Sequence, residues 1–327
     1  MKILVTGATG FIGKNLVQRL VEDGNIVHVL YRDEKKLSSL HHKNIKAFKG
    51  DINDISSLET ATEDCCYVYH LAAFAGVWSK NKDDFFNINF TGTINVLETA
   101  LKYGVKKIVL TSTAGVFGPS IGMSAVDENT VRKTDYFNEY ERTKDYTDAY
   151  VFANYSSKIN LCIVCPTRVF GPGKLSESNS VTKMIKMYVD GKWKYLPGDG
   201  KSIGNYVFID DVINGMLLAM QKGKTGERYI LGGENLNFIE FFEEIARQVG
   251  NKHHMFKIPV WLMLAISQLM IFAARTFGIK PLITSGWAKK YLHHWIMSSD
   301  KAKTNLGYQP ASFQNGLEKT IIWLRKN

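Results

Sequence analysis

The chain has 327 residues, 45% hydrophobic and 22% charged, which is enough apolar material to bury a sizeable core and excludes a disordered protein. Lys and Arg outnumber Asp and Glu by 41 to 31, for a formal net charge of +10. Because the basic residues are spread without long runs, the sequence predicts a solvated basic surface and no nucleic-acid partner.

The first predicted elements are a strand, a glycine-rich turn and a helix. "KILVTG" is typical of a buried parallel strand, and "FIGKNLVQRLVEDG" has apolar residues at helical spacing. "NIVHVLYR" predicts a second strand, which completes a βαβ unit. Between strand and helix, Gly7, Gly10 and Gly13 let the backbone approach a pyrophosphate at the helix N-terminus. Their spacing is GxxGxxG, whereas the common dinucleotide fingerprint is GxGxxG.

Neither the start of the chain nor its cysteines indicate secretion. Met1 leads directly into the first strand without a signal-like segment, so we expect a cytoplasmic protein. The four cysteines are too few for a disulfide framework. Cys162 and Cys165 form a CxxC, but residues three apart on a strand point to opposite faces. We therefore expect buried thiols and no metal site.

Later motifs follow in an order that resembles the extended short-chain dehydrogenase/reductase family, the NAD-dependent epimerase/dehydratase group. They include "GDINDISSL", "YVYHLAA", "NINFTGTINVLETA", "KKIVLTSTAGVFG" and "CPTRVFGPG", and the match covers nearly the whole chain. The resemblance implies an α/β fold with a Rossmann-type, doubly wound sheet of seven parallel strands and a smaller, mainly helical C-terminal substrate lobe. It implies an NAD(P)-binding domain over 1–170 and a lobe over 171–327, with chain segments returning to the sheet.

The resemblance also implies a site for a nicotinamide dinucleotide. In the family, the turn after the third strand lies near the adenine, and the His-Leu-Ala-Ala strand end lines the cofactor. The implied cofactor-binding residues are Gly7, Thr9, Gly10, Phe11, Ile12, Gly13, Arg32, Asp51, Ile52, Leu71, Ala72, Ala73, Thr111, Tyr140, Lys144, Pro166 and Val169.

The end of the second strand selects between the two nicotinamide cofactors. An acid there binds the ribose 2′-OH of NAD, whereas an Arg accommodates the 2′-phosphate of NADP. Tyr31 stands where the acid is expected, Arg32 follows, and Lys35 and Lys36 are close in sequence. These residues favour NADP. Asp33 keeps NAD as the alternative, since a shift of one residue would place it at the strand end.

A Tyr and a Lys four residues later carry the chemistry of the resembling family. On a helix the two side chains share a face, so the ammonium would lower the pKa of the phenol and also hold the nicotinamide ribose. Four YxxxK pairs occur in the sequence. Only Tyr140 and Lys144 lie in a probable helix after the hydroxyl-rich strand end. We therefore expect Tyr140 to exchange a proton with the substrate.

A hydroxyl at the end of the fifth strand completes the predicted catalytic set. In the resembling family the catalytic hydroxyl directly precedes an Ala, which here selects Thr113. Ser112 is the alternative. Asn89 has two open interpretations, an anchor near the site or a buried structural amide.

The residues around this set favour some reactions over others. Dehydratases of the family place acids after the catalytic hydroxyl, where this chain has Ala114 and Gly115. Nucleotide-sugar epimerases carry an Arg where Gly204 stands and a second one near "YLHHWIM". The chain also resembles dihydroflavonol reductase-like and 3β-hydroxysteroid dehydrogenase-like members. We expect an oxidoreductase acting on a ketone or secondary alcohol of a largely apolar molecule. A sugar epimerase with tightly bound cofactor and a non-catalytic nicotinamide sensor are the alternatives.

The C-terminal lobe contains an apolar segment, 258–279, near the length of a membrane span. A core or substrate-lid helix is the first interpretation. A peripheral membrane contact is the second, while Gln268 and Arg275 argue against a transmembrane helix. Family members often pair through their fourth and fifth helices, so a homodimer is a further expectation.

Overall fold

A computed structural model describes residues 1–76, 78–279, 281 and 283–327, without the side chains of Ser38, Ser39 and Arg275. The strands are β1 (Lys2–Thr6), β2 (Ile26–Tyr31), β3 (Ile45–Lys49), β4 (Tyr67–His70), β5 (Lys107–Thr111), β6 (Leu161–Pro166), β7 (Arg168–Phe170), β8 (Tyr195–Pro197), β9 (Ile203–Phe208), β10 (Arg228–Leu231), β11 (Glu234–Asn237) and β12 (Phe256–Ile258). The α-helices are α1 (Phe11–Glu22), α2 (Ile55–Thr62), α3 (Asp83–Phe86), α4 (Gly92–Lys102), α5 (Glu139–Tyr155), α6 (Ser180–Val189), α7 (Ile209–Lys222), α8 (Phe238–Val249), α9 (Val260–Phe277), α10 (Ser285–Lys289), α11 (Asp300–Leu306) and α12 (Phe313–Lys326).

Seven strands form one parallel sheet in the order β10-β6-β5-β4-β1-β2-β3. This confirms the predicted Rossmann-type fold. The strand order reverses between β1 and β4, and the crevice outside the carboxyl ends of strands at such a switch point is where open α/β sheets bind ligands. The glycine turn after β1 therefore lies at the expected place.

Helices cover both faces of the sheet. Leu16 and Met216 of α1 and α7 belong to the core on one face, and Leu97 and Val151 of α4 and α5 to the core on the other. The two cysteines of the CxxC divide between these cores, as the strand spacing predicts. Cys162 lies in the first core and Cys165 in the second; both are buried free thiols whose pKa is raised by burial.

A smaller unit of short sheets and helices stands beside the main sheet. It contains the three-stranded sheet β11-β9-β7 and the pair β12-β8, with α6, α8, α9 and α10. Helix α8 begins with a capping box, in which Asn237 and Glu240 satisfy each other's backbone amides. The chain passes between the two parts several times, since β10 returns to the main sheet after β9.

An aromatic patch is formed by the end of α3, the helical turn that leads from it into α4, and the exposed side of α5. Phe86 stacks on Phe90 at a ring separation of 4.7 Å, and Tyr146 and Tyr150 of α5 contact Phe90 at 5.2 and 5.0 Å. Phe86, Tyr146 and Tyr150 are exposed. These are the helices at which the resemblance implies pairing of two copies, which stays a prediction.

Candidate active site

One large cleft of about 2010 Å³ runs along the carboxyl ends of the central strands and beneath the smaller unit. It brings together nearly every residue that the sequence singles out for the site. The predicted residues on its wall are Gly7, Thr9, Gly10, Phe11, Ile12, Gly13, Arg32, Asp51, Ile52, Leu71, Ala72, Ala73, Thr111, Thr113, Tyr140, Pro166 and Val169. Lys144 is the exception, because its side chain lies behind the wall and the residue is only 3% exposed.

The glycine turn is shaped by close backbone contacts. Gly7 has a φ of +70°, and a Cβ built there would lie 2.6 Å from the backbone nitrogen of Ala72. A Cβ on Gly13 would lie 2.2 Å from the carbonyl oxygen of Gly7. Because the turn packs directly against α1 and the end of β4, no side chain fits at either position.

The same turn fits the pyrophosphate of a dinucleotide. Gly10 caps α1 without a side-chain acceptor, and no acid stands in the first turn of the helix. The first amides of α1 are therefore left for a ligand, at the positive end of the helix dipole. Thr111 adds a buried hydroxyl on the cleft wall with no hydrogen-bond partner in the described part of the chain.

The residues predicted to select the cofactor also line the cleft. Strand β2 ends at Tyr31, so Arg32 is the first residue beyond it. The Arg32 side chain is 65% exposed, and its Nη1 lies 3.4 Å from Asp51 Oδ2. Asp33 already accepts a hydrogen bond from the Lys35 amide and caps the following 3₁₀ turn. The guanidinium is thus the more available of the two groups.

Tyr140 stands in the first turn of α5. The helix begins after Asn138, whose side chain accepts from the Glu141 amide at 2.8 Å. Burial raises the pKa of Tyr140, and the neighbouring Asp148 and Cys165 raise it further. Burial thus opposes the lowering expected from Lys144, and that lowering stays a prediction. Lys144 is itself buried, which lowers its pKa, so its charge does not dominate the phenol.

Thr113 and Ser112 both line the cleft but have different surroundings. Thr113 lines the cleft and its Oγ1 accepts from the Gly115 amide at 3.2 Å. Ser112 is buried and donates to Asp148 Oδ2 at 2.6 Å. Because the Ser112 hydroxyl is engaged with α5, Thr113 is better placed to contact a substrate.

Beneath the cleft wall, Asp148 links β5 to the predicted Tyr–Lys pair. It stands four residues after Lys144, on the same face of α5. Burial raises its pKa to about 6, while Lys144 and the Ser112 hydroxyl oppose that rise. Sequence reasoning missed Asp148. The spacing Tyr140, Lys144, Asp148 at intervals of four was the available signal.

Two further polar groups hold the site together. Asn89 is buried, accepts from the Phe74 amide at 2.7 Å and donates to Thr143 at 3.0 Å, which joins the segment after β4 to α5. This supports its interpretation as a structural amide. His70 lies between the Thr6 and Thr93 hydroxyls, at 2.7 and 3.0 Å, and burial lowers its pKa to about 3.

The family follows from comparison with known proteins. The model of the NAD dependent epimerase/dehydratase family matches residues 3–232. The chain belongs to this family. The resemblance stated from the motifs is therefore confirmed, and the chain is an NAD-dependent enzyme of the extended short-chain type.

Similar members of the family carry out different reactions. A putative dihydroflavonol 4-reductase of Synechocystis is 26% identical over 99% of this chain and 94% of its own length. A mouse sterol-4-alpha-carboxylate 3-dehydrogenase, decarboxylating, is 26% identical over 98% of this chain and 90% of its own. The crystal structure of UDP-glucose 4-epimerase from Thermotoga maritima, with UDP-glucose, matches with a TM-score of 0.83 and 26% identity, covering 100% of this chain and 99% of that one.

Proposed function

We propose that this family member is an NADP-dependent oxidoreductase that interconverts a ketone and a secondary alcohol on a largely apolar molecule. The main observation in support is that one continuous cleft contains both the predicted catalytic residues and an apolar part of the wall. Thr113 and Tyr140 lie on its wall, as do Met184, Met263 and Ile266 of the smaller unit, whose part of the wall we call the substrate half. An apolar substrate bound against these apolar side chains would bring its carbonyl or carbinol carbon towards the hydroxyl groups of Thr113 and Tyr140. The names of the reductase and sterol dehydrogenase relatives support this substrate class.

The roles of the side chains follow from their chemistry. The nicotinamide cofactor, when bound, supplies or accepts the hydride. Tyr140 carries a proton at neutral pH, since the ordinary pKa of a tyrosine is about 10 and burial raises it further, so it can donate that proton to a carbonyl oxygen. Thr113 orients the same oxygen by a hydrogen bond, and Lys144 places a positive charge behind the phenol.

A substrate panel tests this proposal. Purified protein is mixed with NADPH or NADH and with cyclic ketones, steroid ketones and nucleotide sugars, and the nicotinamide absorbance is followed. We expect net NADPH consumption with apolar ketones. A sugar epimerase is the second candidate, supported by the likeness to UDP-glucose 4-epimerase. It would retain bound nicotinamide through purification and consume none. If no compound in the panel causes consumption of NADPH or NADH, a non-catalytic sensor is favoured.

The cofactor preference is tested at Arg32. A guanidinium makes paired, charge-assisted hydrogen bonds to a phosphate, so Arg32→Gln is expected to raise KM for NADPH by about tenfold or more. KM for NADH should change little. Arg19→Gln, on α1 and paired with Asp23, is the matched control. An equal change for both cofactors would contradict a contact with the 2′-phosphate.

We also propose that α9 contacts an anionic membrane surface. Its buried side is formed by Met263, Ser267 and Ala274, whereas Trp261, Leu269 and Phe272 on the other side are 70%, 70% and 66% exposed. No helix in the described part of the chain combines the length and apolar character that crossing a bilayer needs. A helix with an exposed aromatic and aliphatic face is suited to lie in the interface instead.

The surroundings of α9 support a lipid partner. Phe256 and Tyr195 are both exposed and are register partners in the pair of strands β12 and β8, of which β12 directly precedes the helix. The exposed side chains of Lys194 and Lys257 flank them, and cations beside aromatic rings suit an anionic interface. Ile266 is both exposed and on the cleft wall, so the cleft borders this surface. An apolar substrate could enter there from the bilayer.

Vesicle co-sedimentation tests the membrane contact. The wild type is expected to sediment with phosphatidylglycerol vesicles, and the triple variant Trp261→Ser, Leu269→Ser, Phe272→Ser to partition at least about tenfold less. Val131→Ser, at an exposed position on another surface, should behave like the wild type. Equal sedimentation of the triple variant, or a change in its oligomeric size alone, would refute a lipid partner.

A further inference from the structure

An arginine side chain enters the substrate half of the cleft from β7. Arg168 lines the cleft, its Nη1 donates to the Tyr206 hydroxyl at 3.2 Å, and its guanidinium lies 5.5 and 5.8 Å from the ring centroids of Tyr206 and Phe238. The space it fills is opened by Gly204. A Cβ built on Gly204 would lie 2.2 Å from Arg168 Nη1. The guanidinium that the sequence lacks at position 204 is thus supplied from position 168.

A second cation stands on the same part of the wall. Lys290 lines the cleft and pairs with the buried carboxylate of Glu141, which also pairs with Arg132 at 3.1 Å. Burial lowers the pKa of Lys290, Glu141 opposes this, and the nearby charge of Arg168 lowers it further. One carboxylate therefore faces two cations, and Arg168 adds a third positive charge.

The acids of the cleft lie elsewhere. Among the described residues on its wall, the carboxylates are those of Glu22, Asp33 and Asp51, all near α1 or the ends of β2 and β3. Within the same described part, Arg168 has no carboxylate at ion-pair distance. Arg168 is half-buried beside these aromatic rings, and a partly desolvated guanidinium without a carboxylate partner favours binding of an anion. The described residues of the substrate half thus leave a positive charge without a balancing carboxylate on the wall.

We propose that Arg168, assisted by Lys290, binds an oxyanion carried by the apolar substrate, a carboxylate or a phosphate ester. The planar fork of arginine matches either group with two parallel hydrogen bonds. The contact orients the substrate body, while Tyr140 and Thr113 act on its carbonyl or alcohol. This inference adds an anionic group to the substrate class proposed above. It rests on the proposed function only in assuming that the carbonyl or alcohol of the substrate is the group that reacts.

The test compares probes that share a chain and differ in head group. The cofactor-loaded protein is titrated calorimetrically with decanoate, decyl phosphate and 1-decanol, and separately with UDP. We expect at least one anionic probe to bind about tenfold or more tighter than 1-decanol, a factor typical of hydrogen bonds to a charged group. Arg168→Leu should abolish that preference, and Arg168→Lys should keep part of it. Arg142→Leu, an exposed arginine paired with Glu139, should keep all of it.

The outcomes separate this inference from the proposed function. Equal affinity for 1-decanol and both anions, or a preference that survives in Arg168→Leu with an unchanged melting curve, overturns the inference. Tighter binding of UDP than of either decyl anion overturns the apolar part and favours the epimerase. The titration requires no turnover, so a preference for anions would support the inference even if no compound in the substrate panel reacts. An active panel would not support the inference if the titration shows no such preference.

Discussion

Tyr140→Phe is expected to lower kcat for ketone reduction by about 10²- to 10⁴-fold, the usual contribution of a positioned acid or base. The substitution removes the hydroxyl and keeps the ring, so the packing of α5 and the cofactor end of the cleft should not change. Steady-state kinetics give the loss of turnover. Fluorescence titration with NADPH should give an unchanged Kd.

The control for this result is the same substitution in another YxxxK pair. Tyr103 follows the end of α4, and Lys107 is committed to the Gly223 carbonyl, 2.6 Å from its Nζ. Tyr103→Phe should therefore retain activity. Full activity in Tyr140→Phe, or an equal loss in both variants, would show that the phenol of Tyr140 does not transfer the proton.

Gly7→Ala is expected to abolish measurable dinucleotide binding and to lower the free energy of unfolding by about 1–3 kcal/mol, the usual cost of forcing atoms into a packed site. The added methyl carbon would meet the backbone of Leu71 and Ala72 at 2.6 Å. Backbone cannot move aside as a flexible side chain can, so the turn and the end of β4 must separate. Thermal melting and cofactor titration measure the two effects.

Gly24→Ala is the matched control. Gly24 has a φ of +81°, close to the +70° of Gly7, but a Cβ there meets nothing within 4 Å. The two variants share the cost of a left-handed backbone and differ in the collision. Gly24→Ala should bind the dinucleotide normally. If both variants lost the same stability and both bound cofactor, the close approach of Gly7 to β4 would have no role.

The cofactor end of the site could be predicted because it depends on short sequence spacings. Gly7, Gly10 and Gly13 lie between a strand and an amphipathic helix, and both elements form where the pattern indicates. The Tyr140–Lys144 pair needs only helical periodicity, and α5 provides it. Such features are fixed within one βαβ unit or one helix, so the chain alone specifies them.

The electrostatics of the site could not be predicted in this way. The pKa of Tyr140 depends on burial, which follows from packing of the smaller unit over the cleft and opposes the effect expected of Lys144. Ser112 and Asp148 are 36 residues apart in the chain, and Lys290 reaches Glu141 from the C-terminal lobe. Arg168 and Gly204 share one space although neither spacing nor periodicity connects them. Contacts of this kind are properties of the fold.

The apolar segment is a case in which sequence left two interpretations open. Its composition predicts a helix but not which side is covered, since nearly every position is apolar. The structure covers the side of Met263 and Ala274 and leaves Trp261 and Phe272 exposed. One side of α9 borders the cleft and the other faces outward, and the contact of that outer side with a membrane stays a proposal.

Transfer of a hydrogen label tests directly whether the protein moves a hydride from NADPH to an apolar ketone. Protein is incubated with NADPH deuterated at C4 and an apolar ketone from the active panel, and the product alcohol is examined by mass spectrometry. We expect deuterium on the new carbinol carbon, one label for each NADPH consumed, and none with Tyr140→Phe. A product alcohol without deuterium, or equal transfer of the label by Tyr140→Phe, would contradict it.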